Sequence, residues 1–239
     1  MTIDNKLNHT YLGKDLEAMS LASNYNQWIV DLLSPHFDKV VAEVGAGTGN
    51  LSKLILDKGI EELVSFEPSA EMHKLLLNNL EGKNNTHIIN SMFSSEANNF
   101  QNYFDSILYV NVLEHIEDDG KELNLAYDCL KTGGHLCIFV PALSFLYSDF
   151  DKTIGHYRRY QKRQLIELVQ RSRFTISTIK YIDILGIIPW YIIFVIMKQN
   201  LTSNTTRLYD KLCVPVIKVF ESILPVPIGK NLLLVAKKI

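Results

Sequence analysis

Apolar runs alternate with amphipathic segments along most of the chain, from about residue 38 to residue 180. Val40-Val-Ala-Glu-Val44 is a short apolar run followed by glycines, the pattern of a buried parallel strand. After it Leu51, Leu54 and Ile55 recur at helical spacing, and Thr48 stands where it can cap that helix. The same alternation predicts strands over 62–66, 86–89, 104–110, 135–140 and 174–181. Helices are predicted over 69–80, opened by Ser69 with Glu71 in its first turn, and over 123–130 and 161–170. Thr132-Gly-Gly134 reads as a turn before the fifth strand, and Asn231 to Ala236 as a last strand pairing at a sheet edge. Strand and helix in turn predict an α/β fold, an open parallel sheet with helices on both faces.

Between Asp183 and Lys198 lie fourteen consecutive uncharged positions, 184–197, containing Gly186 and Pro189. A spanning helix needs roughly 17–25 apolar residues, so the run is too short to cross a bilayer. Three readings stay open: a buried or subunit-contact helix, a wall of an apolar substrate pocket, or a helix lying in a membrane surface. No internal repeat or second compositional domain is visible. The reading is one core, 38–239, preceded by an N-terminal helical cap at 1–37 and carrying an insertion at 182–229.

Composition narrows the function classes. Of 239 residues, 47% are hydrophobic and 21% charged, which excludes wholesale disorder. A formal charge of −2 gives no global reason to expect nucleic acid as a partner. The three cysteines, 129, 137 and 213, show no C-x-x-C spacing, which implies neither a disulfide framework nor a zinc site. With a polar start from Met1 to Lys14, the expectation is a cytoplasmic protein, with peripheral membrane contact or a homodimer left open by the apolar run.

The densest chemical signal is Glu43-Val-Gly45-Ala46-Gly47-Thr-Gly49-Asn50, which follows the first strand and opens the first helix. Sheets of this kind bind ligands at the carboxyl ends of their strands, and glycines there let backbone approach closely. Glu67, 20 residues after Gly47, ends the second strand, where a carboxylate can accept from two ribose hydroxyls. Dinucleotide loops read G-x-G-x-x-G, whereas here Asn50 stands in place of the last glycine. The acidic Glu43 also suits a cationic ligand better than a pyrophosphate. S-adenosylmethionine (SAM), with its sulfonium, ammonium and ribose, fits better than NAD.

Val41 to Ser52 resembles the first motif of class I SAM-dependent methyltransferases, and Phe66-Glu67-Pro68-Ser69 resembles their second-strand acidic motif. Phe104 to Asp118, containing Asn111, Glu114 and His115, is similar to the fourth-strand motif, and Leu130 to Cys137 to the segment before the fifth strand. The resemblance implies a Rossmann-like seven-stranded sheet with an antiparallel last strand, a hydrophobic helical insertion before it, and conversion of SAM to S-adenosylhomocysteine (SAH). It also implies cofactor contacts from Glu43, Gly45, Ala46, Gly47, Gly49, Asn50, Glu67, Pro68 and Asn111. Many relatives carry an acidic residue after the third strand, near the adenine; here Asn90-Ser91-Met92 stands there, leaving Ser91 and Met92 as the candidates.

For the methyl acceptor, His115 follows the fourth strand at the ligand-bearing rim, as a base or as a local hydrogen-bonding group. Glu114, Glu117, Asp118 and Asp119 read as a solvated helix start. Metal-ligand spacings are absent, so no metal is expected. Residues 151–180 hold eight basic groups against two acidic ones. Within them, Gly155-His156-Tyr157-Arg158-Arg159-Tyr160 sets adjacent arginines between aromatics, suited to a carboxylate or phosphate. The alternative is a loop tied down by Asp149 and Asp151. This stretch resembles a bacterial methyltransferase subgroup with Val-Pro-Ala and Gly-His-Tyr-Arg-Arg-Tyr motifs, some members of which are linked to lipid or glycan pathways. The subgroup's Asn-Tyr-Asn-x-Trp helix is matched by Tyr25 and Trp28, which would close over the cofactor or belong to the core.

The resulting expectation is methyl transfer to a small anionic acceptor with an apolar part, an isoprenoid- or lipid-like acid or phosphate. His115, Arg158 and Arg159 would act on it, and Tyr25, Trp28, Tyr147, His156 and Tyr157 would line its site. The alternatives are His115-assisted O-methylation of a neutral hydroxyl and a SAM-binding regulatory protein without catalysis.

Overall fold

The computed structural model describes residues 22–198, 203–224 and 226–239. The first twenty-one positions of the expected N-terminal cap, and residues 199–202 and 225 of the insertion, lie outside the described residues. Seven strands form one sheet in the order β3-β2-β1-β4-β5-β7-β6. They are β1 Val40–Val44, β2 Glu62–Phe66, β3 Thr86–Ile89, β4 Phe104–Val110, β5 Leu130–Pro141, β6 Thr175–Ile182 and β7 Asn231–Lys237. Only β7 runs antiparallel to its neighbours. Flanking helices include α1 Ser23–Leu33, α2 Asn50–Leu56, α3 Ala70–Asn79, α4 Asp119–Cys129, α5 Lys162–Arg171 and, in the insertion, α6 Val214–Ile223.

Burial on both faces explains the strand sequences. Leu136, Ile138 and Val140 of β5 join one core cluster, while Cys137 and Phe139 point into the other. β7 divides likewise, Leu232, Leu234 and Ala236 from Leu233 and Val235. That division corrects the edge placement: an unbroken apolar run must be covered on both faces, so β7 lies inside, between β5 and β6. The edge goes to β6, mostly exposed or half-buried along its length.

Local corrections have local causes. Gly49, at φ +85°, is the N-cap of α2, and the Thr48 hydroxyl instead accepts from the Asn50 amide. Residues 132–134 are strand rather than turn. Gly134 lies inside β5 where the register with β4 shifts, and a Cβ there would stand 2.9 Å from the Asp105 carbonyl. Helix α4 begins at Asp119, earlier than its apolar spacing indicates, because Asp118 caps it by accepting from the Lys121 N–H.

The insertion leans on the N-terminal helix. Asp210 accepts from the backbone N–H groups of Asn24 and Tyr25, capping α1 from another part of the chain. Asp183, buried and at φ +67°, accepts from the Gly186 N–H, the Tyr25 and Tyr209 hydroxyls and the Lys230 ammonium. One carboxylate thus ties α1, the insertion and the approach to β7 together. The apolar run is two-sided: Phe194 is buried, whereas Ile188 and Ile196 are 66% and 61% exposed. Among the described residues no helix is long and apolar enough to cross a membrane.

Candidate functional site

Strand order reverses between β1 and β4, and the segments leaving these two strands flank a cleft of about 320 Å³. Gly45 to Thr48, with Asn50, forms one end, and Asn111, at φ +54°, follows β4 beside it. Phe150, Trp190, Ile193 and Phe194 form an apolar wall, and Tyr25, Tyr209 and Lys230 contribute from α1 and the insertion. Glu114, His115, His156 and Arg159 line the same cleft, Arg159 against the Trp190 ring.

The glycines of the loop serve different ends. A Cβ on Gly45 would lie 2.5 Å from Val112, so that position keeps β1 against the β4 exit. Gly47, at φ +56°, would project a Cβ into open space beside the cleft. This open space is the cradle that a closely approaching ligand requires. Glu67 holds it in shape, one carboxylate oxygen accepting from the Gly47 N–H at 2.7 Å and the other from the Ser69 N–H at 2.8 Å. Burial raises the Glu67 pKa despite these bonds.

Glu43 is buried beneath the loop. One oxygen accepts from Ser52 and Ser65, while Oε1 has no donor among the described residues. Burial pushes its pKa up to about 7. A carboxyl raised on folding is protonated more readily in the native state, so stability is present at low pH and falls as pH rises from about 4.5 to 7. Glu43→Gln is therefore expected to remove that pH dependence and to stabilise the ligand-free protein at pH 8 by up to about 3 kcal/mol. Thermal melts of both proteins at pH 5 and pH 8 check it, and an equal offset at both pH values would refute it.

The structure brings Gly45, Ala46, Gly47, Asn50, Asn111, Tyr25, His115, His156 and Arg159 to the cleft. The other predicted residues stand elsewhere. Gly49 packs against Leu76, Pro68 and Met92 are exposed, and Ser91 is half-buried beyond β3. Trp28 is core, at 3% exposure. The Tyr147 hydroxyl donates to the His156 carbonyl, and Tyr157 is exposed. Arg158 turns away, bonding to the Asp119 carboxylate and the Glu117 carbonyl.

Arg159 faces the cleft already paired. Its Nε and Nη2 both lie 2.8 Å from Asp151 Oδ1, and its guanidinium sits 4.5 Å from the Trp190 ring centre. Asp151 also accepts from Ser148 and lies 2.9 Å from His156 Nδ1, so the loop is tied down through this one carboxylate. Glu114 departs most from the sequence reading. It is fully buried rather than solvated, neither oxygen has a hydrogen-bond partner among the described residues, and burial pushes its pKa up to about 8. Its apolar neighbours Val112, Leu113 and Ile116 were the available signal. Burial and the adjacent His156 hold the His115 pKa down to about 4, so its ring is neutral at pH 7.

The parallel sheet, the glycine cradle at its switch point and the acidic groups around it define a class I Rossmann-like transferase fold for a nucleoside cofactor. A family model described as a methyltransferase domain matches residues 21–179, and the chain belongs to that family of methyltransferases. An uncharacterized methyltransferase of Oceanobacillus iheyensis is 29% identical over 113 residues, covering 46% of this chain; the chain thus spans about half (49%) of that relative. Among solved structures, a SAM-dependent methyltransferase from Archaeoglobus fulgidus superposes with a TM-score of 0.63 at 20% identity, covering 90% of this chain and 94% of that one. The Burkholderia thailandensis 1,6-didemethyltoxoflavin-N1-methyltransferase, solved with its substrate and SAH, gives 0.58 at 17% identity, covering 95% and 82%. These likenesses support the fold.

Proposed function

We propose that the protein transfers the methyl group of SAM to an oxygen of a small acceptor with an apolar body. The observation that carries this reading is the division of one cleft into a glycine cradle, a polar cluster and an aromatic wall. The residues fit the cofactor: Gly47 leaves room for it, and the undonated Glu43 oxygen favours a cation over a pyrophosphate. Gly45, Ala46, Gly47, Asn50 and Asn111 would hold it. Glu67, which shapes the cradle through the Gly47 N–H, would accept from the ribose.

Bound SAM supplies a methyl group on a sulfonium, so the protein's task is to align an acceptor oxygen with it. A hydroxyl acceptor is favoured over the acid expected from sequence, because Arg158 is directed away and Asp151 already neutralises Arg159. His115 and Glu114 would face the hydroxyl, and Tyr25 and His156 would border it. The outer face of the insertion, with Ile188 and Ile196, is the surface that would meet a membrane if the acceptor is a lipid.

Phe150 and Trp190 pack on Phe194 with ring centres 4.9 and 4.3 Å away, which would house the apolar body. Within a homologous acceptor series, each added methylene should lower KM about fourfold until the wall is covered, from about 0.8 kcal/mol per buried methylene. Phe194→Ala should flatten that dependence with SAM affinity unchanged. Steady-state kinetics across tail lengths test it; the same slope in the variant would remove the wall from the acceptor site.

A further inference from the structure

Glu114, His115 and His156 each offer one ligating atom, and these atoms all lie within 4.8 Å of one another at the cleft. His156 Nδ1 lies 2.9 Å from the Asp151 carboxylate and is committed to that partner, which leaves Nε2 as the ring nitrogen available to a ligand. Nε2 stands 3.7 Å from Glu114 Oε1, too far for a hydrogen bond. A carboxyl and an imidazole nitrogen therefore face each other across a gap with no hydrogen bond between them. Two ligands of one tetrahedral ion, each about 2.0–2.1 Å from it, stand roughly 3.3–3.4 Å apart, so the gap has nearly that size. The His115 ring completes the third side, 4.6 Å from His156 between ring centres and inclined at 79°.

The surroundings match a metal centre in two further respects. A ligating histidine usually donates its other ring N–H to a carboxylate, and Asp151 is that carboxylate, itself fixed by Ser148 and Arg159. The second respect is charge: the Arg159 guanidinium is committed to Asp151, and no lysine or arginine pairs with Glu114 among the described residues.

We propose that Glu114, His115 and His156 form a binding site for a first-row divalent cation of the zinc or cobalt type, open toward the cleft. Two imidazoles and one carboxylate suit such ions better than magnesium or calcium, which take oxygen ligands. Three protein ligands leave a coordination position facing the acceptor space. That the ion would hold an acceptor oxygen there rests on the methyl-transfer reading; the binding of the ion does not.

Cobalt(II) is the probe, titrated into the whole protein without SAM while visible absorption is followed. The expected result is one equivalent bound with a ligand-field band, displaced by one equivalent of zinc. Glu114→Gln, His115→Gln and His156→Gln should each abolish the band, Asp151→Asn should weaken binding roughly 10- to 100-fold, and His135→Gln should change nothing. Thermal melts identify any variant that fails to fold, and the two histidine variants, which remove no buried charge, decide the matter if Glu114→Gln does. A band that survives in folded His115→Gln and His156→Gln, or no band in the wild type, overturns the site. Calorimetry with SAM on the same preparation separates the two claims: SAM binding without cobalt binding ends this inference alone, and cobalt binding without SAM binding ends the methyl-transfer reading alone.

Discussion

Calorimetry is expected to show SAM and SAH binding to the purified protein, no binding of NAD, and a loss of at least about a hundredfold in SAM affinity for Gly47→Val. Gly47 holds a positive φ, and its missing Cβ opens onto the cleft. A valine there costs backbone energy of about 1–2 kcal/mol and fills the space where the cofactor must approach. Because that strain falls on the fold as well, Gly47→Ala is the companion: it carries a similar backbone cost with far less bulk, and should lose tenfold or more in SAM affinity in a variant that thermal melts show to be folded. Glu67→Ala should weaken binding too, since it removes the carboxylate that pins the Gly47 N–H and that is proposed to accept from the ribose. Tight NAD binding with none for SAM would sink the central reading. SAM binding without turnover on any acceptor would point to a regulatory protein instead.

The second large effect concerns the polar cluster. His115→Ala is expected to lower kcat/KM for an acceptor hydroxyl by a hundredfold or more, about 2.7 kcal/mol of transition-state stabilisation, in a protein that still binds SAM. Arg158→Lys should lie within about threefold of wild type, because its partners are Asp119 and the Glu117 carbonyl outside the cleft. Arg159→Lys should fall between them, since lysine cannot reproduce the fork that bonds Asp151 through two nitrogens. The opposite ranking, with Arg159→Lys inactive and His115→Ala near wild type, would restore an acid acceptor oriented by arginine. Separate measurements of kcat and KM matter here. A loop that has merely loosened raises KM, whereas a misplaced reacting group lowers kcat.

Local signals in the chain were sufficient for the sheet and its cradle. The central strands β1, β2 and β4 are short apolar runs with mostly buried residues, and Gly45-x-Gly47-x-Gly49 between β1 and α2 places the loop without help from distant residues. The carboxylate 20 residues on, Glu67, was legible for the same reason, since β2 pairs with β1 in register and ends beside the loop. Long-range packing decided the rest. Local sequence could not show that β7 lies between β5 and β6, because an apolar run specifies burial on two faces but not its neighbours. Adjacent Arg158 and Arg159 look equivalent in sequence, yet one meets Asp119 and the other Asp151, as only the folded loop determines. Glu114 reads in sequence as one of four solvated acids, whereas in the fold its carboxyl is buried, without a hydrogen-bond partner among the described residues, and set against His156. A charge's chemistry follows from its solvation and its partners, and for groups this far apart in the chain both are consequences of tertiary structure.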